Sequence, residues 1–205
     1  MKILIIGIAR SGTTSLLKGI ESQGFHGISE PYNEWIREEL SYPLQELDNY
    51  TNIVIKSNSN QKPKEYKGSW IDFILEFSKS FDKLIFLDRY DFSEHYESIV
   101  NLWYKSHVKK ESVMTEWVSE DIPNLFRVGF ESGGGRFRLQ KEKEELKQLA
   151  TKLDSDITYY EDLYSNDRSR ANQIITDLKL EVDDLELSNY LDPKYKLKKT
   201  KKNLL

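Results

Sequence analysis

Residues 2–6 form a short apolar run, Ile3-Leu4-Ile5-Ile6 after Lys2, that closes on Gly7. Apolar positions without alternation, stopped by a glycine, predict a strand buried on both faces, as in parallel sheets. From Thr14 to Ser22 the pattern changes period. Leu16, Leu17 and Ile20 share one side, which predicts a helix with Gly24 as its C-terminal stop. Strand, glycine loop and helix make the first unit of a nucleotide-binding α/β fold. Ile53-Val54-Ile55 predicts a second strand running into Lys56-Ser57-Asn58, and Ser69 is placed to cap a helix over Trp70–Phe81. Lys83–Asp88 predicts a third buried strand. Phe92, Tyr96, Ile99, Val100 and Trp103 recur at helical spacing and predict a helix over 92–107, with Ile99 and Trp103 turned into the core. Residues 119–138, with Pro123 and Gly133-Gly134-Gly135, read as irregular. A Glu- and Lys-rich helix over Leu139–Leu153, a strand at Asp156–Tyr160 and a helix at Ser169–Leu178 follow, then a basic tail from about 194 to 205. With no repeat and no linker, residues 1–205 read as one domain.

Composition narrows this picture. A formal net charge of -4 over 205 residues argues against a molecule built to bind nucleic acid, so any anion site must be local. The absence of cysteine removes disulfides and thiolate metal sites and fits a reducing compartment. No window approaches the roughly 18 apolar residues of a membrane span, and the N-terminal apolar run is too short for a signal peptide. The expectation is a cytoplasmic protein without a membrane partner. Aromatic residues, 12% of the chain, point to a folded protein.

The loop Gly7-Ile8-Ala9-Arg10-Ser11-Gly12-Thr13-Thr14 carries the most chemistry. Its glycines have phosphate-loop spacing, with threonine where the usual lysine stands. Glycines let the backbone approach a ligand, successive N–H groups form an anion nest, and the helix starting near Thr13 adds its positive end. Arg10 can supply the cation that the loop lacks. A tight turn with no ligand is the alternative.

Arg10-Ser11-Gly12-Thr13-Thr14-Ser15-Leu16 resembles the 5′-phosphosulfate loop of sulfotransferases that use 3′-phosphoadenosine 5′-phosphosulfate (PAPS) and release adenosine 3′,5′-bisphosphate. The resemblance implies a three-layer, P-loop-like α/β fold with a central parallel sheet flanked by helices. It also implies that Arg10, Ser11, Gly12, Thr13, Thr14 and Ser15 hold the 5′ group. A second motif of that family, an arginine after a strand and a serine eight or nine residues on, matches Arg89 and Ser98 and assigns them to the 3′ phosphate. Tyr90 and Asp91 stand where that motif often has proline, and Ser93 is a competing hydroxyl. Tyr160-Glu161-Asp162-Leu163 resembles a late segment of many sulfotransferases and serves as fold evidence only.

Sulfuryl transfer requires a base for the acceptor hydroxyl and fixed donors for the developing charge. Glu30, in Ser29-Glu30-Pro31-Tyr32-Asn33, is the base that the resemblance favours, because carbohydrate sulfotransferases have a similar Glu-Pro-aromatic segment. Lys56, at a strand end where open α/β sheets bind ligands, can polarise the bridging oxygen or stand solvated. Its neighbours Ser57-Asn58 lack the histidine of cytosolic sulfotransferases. Of His26, His95 and His107, His95 is the candidate nucleotide contact or substitute base. Gly133–Gly135 with Arg136 and Arg138 reads as a mobile lid or a plain surface loop. Lys198, Lys199 or Lys201 can reach a 3′ phosphate or belong to a frayed end, and Tyr32, Trp35 and Tyr104 can line an acceptor pocket or serve packing. The expected activity is PAPS-dependent sulfation of a small-molecule or carbohydrate hydroxyl. A kinase or nucleotide hydrolase with Asp88 and Thr14 on magnesium is the second reading, and a non-catalytic nucleotide-binding protein the third.

Overall fold

The computed structural model describes residues 1–32, 47, 49–109, 122–165 and 168–179. Its order is β1 (Lys2–Gly7), α1 (Thr13–Glu21), β2 (His26–Ser29), β3 (Ile53–Asn58), α2 (Trp70–Phe77), β4 (Lys83–Asp88), α3 (Phe92–Tyr104), α4 (Asn124–Ser132), α5 (Gly135–Lys152), β5 (Ile157–Tyr159), α6 (Tyr160–Leu163) and α7 (Ser169–Asp177). The five strands form one sheet in the order β2-β3-β1-β4-β5, and every pairing is parallel.

The unbroken apolar run of β1 is explained by its position. Ile3, Leu4, Ile5 and Ile6 are fully buried because helices cover both faces. Side chains alternate across a strand, so Ile3 and Ile5 pack with Leu16, Leu17 and Ile20 of α1 and with Leu163 and Ile174. Leu4 and Ile6 pack with Phe73 and Ile74 of α2, Tyr96 and Val100 of α3, and Leu146 and Leu149 of α5. The result is a three-layer α/β fold, as the sequence predicts. Ser69 caps α2 in a full capping box with Asp72, and Gly24 ends the first helical unit at φ 81°. No helix among the described residues is long and apolar enough to cross a membrane.

Sequence pattern and structure differ in several places. The edge strand β2 escapes the sequence pattern because only Ile28 of its four residues is buried. The stretch 119–138 is not irregular where it is described: α4 and the first turn of α5 occupy it. Gly133–Gly135 is therefore a helix junction rather than a lid or a plain loop. Gly134 turns the chain at φ 81°, and a Cβ on Gly135 would lie 2.3 Å from the Phe130 ring, so the close approach demands glycine. Arg136 is held there over the rings of Tyr96 and Phe92. On α3 the fully sequestered side chains are His95, Tyr96, Ser98, Val100 and Asn101; Ile99 is half-buried against the core, as expected, and Trp103 is half-buried against Phe130. Trp35 and the basic tail lie outside the described residues.

The long helix α5 is anchored by Leu146, which is fully buried in the core. Replacing a buried leucine with alanine removes transfer energy and leaves a cavity. Leu146→Ala is therefore expected to lower unfolding free energy by about 2–5 kcal/mol in urea titration; a change below about 0.5 kcal/mol would show that α5 is not packed as described.

Candidate functional site

The strand register decides where the chemistry meets. Gly7 at the end of β1 lies beside Asn58 of β3 and Leu87 of β4. Since β1 is central, with β3 on one side and β4 on the other, the loop after Gly7 sits at a topological switch point, where parallel sheets bind ligands. Ser29 pairs with Lys56, and Asp88 with Tyr159, which brings Glu30 and Tyr160 to the same edge.

The loop is tightly specified. Arg10 has φ 73° and Gly12 φ 88°, so the backbone passes twice through the left-handed region. A Cβ on Gly12 would approach the rings of Tyr160 and Tyr164 to 2.8 and 2.9 Å, and one on Gly7 would meet Thr13 and the Leu87 carbonyl. Ser11 is buried and donates its hydroxyl to the Ile8 carbonyl at 2.7 Å, so it shapes the turn. Ser15 lies beside the Tyr164 hydroxyl, which donates to the Gly12 carbonyl at 3.3 Å and whose ionisation burial pushes upward. Thr13 is buried and donates to Asn58 Oδ1 at 3.4 Å. No side chain caps α1 and no acidic residue stands in its first turn. Its leading N–H groups, which have no partner inside the helix, therefore keep their positive character.

Into this helix start comes Lys56, only 3% exposed. Its ammonium donates to Thr14 Oγ1 at 2.9 Å and pairs with Glu30 Oε1 at 2.5 Å. The loop has no lysine of its own at the usual position, and β3 brings one to it. Glu30 is further held by Asn58 Nδ2 at 2.9 Å and Gln61 Nε2 at 2.8 Å. Its φ of 56°, immediately before Pro31, places it in a conformation that non-glycine residues rarely adopt. Among the described non-glycine residues with positive φ, Arg10, Glu30 and Asn60 all lie at this edge, so strain is concentrated there. Neighbouring Ser59 and Asn60 donate to Glu142 of α5, whose carboxyl burial raises above its ordinary range.

On the other side of the loop, Arg10 Nε donates to Ser98 Oγ at 3.2 Å, so Ser98 is joined to the glycine loop itself. Burial lowers the Arg10 pKa to about 10, which leaves it charged at neutral pH. Arg89 lies 4.6 Å from the centre of the Tyr160 ring and is ion-paired with Glu94 and Glu161. Its electrostatic influence on Arg10 and Tyr160 places both arginines in one neighbourhood.

His95 is fully buried. Its Nε2 stands 2.8 Å from the Ala9 carbonyl, which can only accept, so Nε2 carries the proton. Nδ1 has no hydrogen-bond partner among the described residues and lies 3.7 Å from Asp88 Oδ1. Asp88, itself fully buried, accepts from Lys143 at 2.5 Å, and Lys143 also donates to the Arg89 carbonyl at 2.6 Å. His95 therefore braces the loop from beneath. The sequence reading singled out Glu30, Lys56, Arg10, Arg89, Ser98 and His95, and all stand along this edge. It missed Gln61 and Lys143 and gave Glu161 no site role. Lys143 lies in a charged helix where no local pattern distinguishes it, whereas Gln61 and Glu161 follow strand ends of a parallel sheet, which is a legible signal. Tyr32 is buried in the core with its ring edge-on to Phe73, and Tyr104 packs against Phe126.

Burial lowers the His95 pKa from 6.5 to about 3, with the Ala9 bond opposing and Lys143, Arg89 and Arg10 assisting. Because the unfolded chain takes up this proton at higher pH than the folded one, the stability that it contributes is complete above pH 6.5 and is lost as pH falls toward 3. The decline in unfolding free energy between pH 6.5 and 4 is expected to be shallower in His95→Gln than in the parent. Parallel curves in urea titrations across that range would contradict a buried neutral His95.

No protein-family model matches the chain, and neither a curated protein nor a solved structure matches it.

Proposed function

We propose that this protein is a sulfotransferase that uses PAPS to sulfate a hydroxyl of a small molecule or carbohydrate. The observation that carries the reading is the buried Lys56 ammonium set between Thr14, at the uncapped start of α1, and the Glu30 carboxylate. A cation, a helix N-terminus and a carboxylate within one polar cluster match the needs of an anionic leaving group beside a hydroxyl nucleophile. The 5′ half of the site suits the group: α1 starts without a side-chain cap, and Arg10 and Lys56 supply charge beside it. The 3′ half fits once Arg89 gives up its carboxylate partners.

When bound, PAPS supplies a sulfuryl group on a phosphate leaving group. Around it, the first N–H groups of α1, Arg10, Thr13 and Thr14 bind the 5′ end. Glu30, oriented by Asn58 and Gln61, takes the proton of the acceptor hydroxyl. Lys56 and Arg10 balance charge on the departing phosphate, and His95 maintains the loop through Ala9. A cytoplasmic location belongs to the same reading, since a chain without cysteine draws nothing from an oxidising compartment.

The kinase or hydrolase reading asks Asp88 and Thr14 to hold magnesium. Asp88 is fixed by Lys143 and Thr14 accepts from Lys56, so a metal there would face two ammonium groups. That favours sulfuryl transfer over the ATP–magnesium alternative. The third reading, binding without catalysis, is separated by turnover.

Calorimetric titration is expected to show adenosine 3′,5′-bisphosphate binding more tightly than ADP or ATP with magnesium. With an acceptor found by screening hydroxyl compounds against PAPS, Glu30→Gln should reduce turnover about 10²–10⁴-fold, the usual contribution of a general base. Its nucleotide affinity should change little. Preference for ATP with magnesium, or undiminished turnover in Glu30→Gln, would count against the proposal.

A further inference from the structure

Arg89 is 7% exposed, so its guanidinium has lost nearly all its water and depends on protein partners. Its ion pairs are long. Nε reaches Glu161 Oε1 at 3.4 Å and Nη2 reaches Glu94 Oε2 at 3.2 Å, against about 2.7–2.9 Å for a tight charge-assisted bond. The other oxygen of Glu161 accepts from the backbone N–H of Tyr90 at 2.9 Å. One carboxylate thus spans an arginine Nε and the next residue's backbone N–H, with the Tyr160 ring against the guanidinium. Two converging donors of this kind at the C-terminal end of a parallel strand form an anion receptor.

We propose that Glu161 is an internal stand-in for a phosphate: its carboxylate fills the receptor formed by Arg89 Nε and the Tyr90 N–H, and must leave when a second phosphate of the ligand binds. The inference rests on the sulfotransferase reading, which supplies a ligand with phosphate groups at two places. The two partners differ in freedom. The Arg89 side chain is 8% exposed and Glu161 23%, so the carboxylate can turn toward water while the guanidinium stays. The looseness of the pair makes the exchange inexpensive, and a phosphate dianion offers more oxygens and more charge to the same donors. Glu161 then acts as a selectivity threshold. A nucleotide with only a 5′ group leaves it in place, whereas one with a 3′ phosphate must displace it.

Calorimetry on the parent and Glu161→Gln, with adenosine 3′,5′-bisphosphate and with ADP, tests this. Glutamine keeps an oxygen for the Tyr90 N–H but removes the competing charge. The bisphosphate should bind Glu161→Gln about tenfold more tightly, while ADP affinity should change by less than about twofold. If the parent prefers the bisphosphate and Glu161→Gln binds it equally or more weakly, the stand-in is overturned and the functional reading survives. If neither protein distinguishes the bisphosphate from ADP, the functional reading falls and the stand-in with it. Should Glu161→Gln fail to fold, the Arg89 Nε resonance of the parent decides. A shift on adding the bisphosphate, absent with ADP, supports the exchange, and an unmoved resonance in the saturated complex overturns it.

Discussion

The placement of β1 at the centre of an all-parallel sheet, with β3 on one side and β4 on the other, governs everything at the functional edge. The ends of these strands carry Lys56 and Asn58, the Gly7 loop, and Asp88 with Arg89. Their register is fixed by apolar side chains that have only one buried solution, since a slip by one residue would exchange the two faces of β1. The site is therefore assembled by core packing before any polar group contributes. Helices α1 and α3 then add the loop's continuation and its brace, while α5 delivers Glu142 and Lys143 to the loops after β3 and β4.

Several cations are drawn out of water at this edge, and each meets a carboxylate. Lys56 meets Glu30, Lys143 meets Asp88, and Arg89 meets Glu94 and Glu161. Such burial costs energy unless the geometry is good, and the pairs differ in that respect. The two lysine pairs are short and mostly shielded, whereas the arginine pairs are long and their carboxylates partly exposed. The lysine pairs are therefore held closely and the arginine pairs loosely. Neutral His95 fits between Asp88 and the loop without adding a further charge to this crowded region.

Much of the fold was legible because its period signals were strong. The bounds of β4 agree with its apolar run, and α1 and α7 begin and end within a residue of their expected positions. Strand β2 was not legible, because a half-exposed His-Gly-Ile-Ser edge carries no hydrophobic pattern. Helix α4 was hidden by its composition: it has no fully buried residue and is held by Phe126 and Phe130 against Tyr104, Trp103 and Tyr96. At the site, residue types singled out the glycine loop, strand ends located Lys56 and Arg89, and only the family resemblance pointed to Glu30. Their partners were another matter. That Ser98 would bond Arg10, or that Lys143 would reach Asp88 from 55 positions away, depends on how helices dock on the sheet, which no local spacing records.

The most direct test of the central claim is a crystal structure of the protein with adenosine 3′,5′-bisphosphate bound. The 5′ phosphate is expected at the start of α1, within hydrogen-bond distance of the Gly12–Thr14 amides and of Lys56 Nζ. A bisphosphate bound elsewhere, with Lys56 still enclosed between Glu30 and Thr14 and the loop amides turned to solvent, would contradict it.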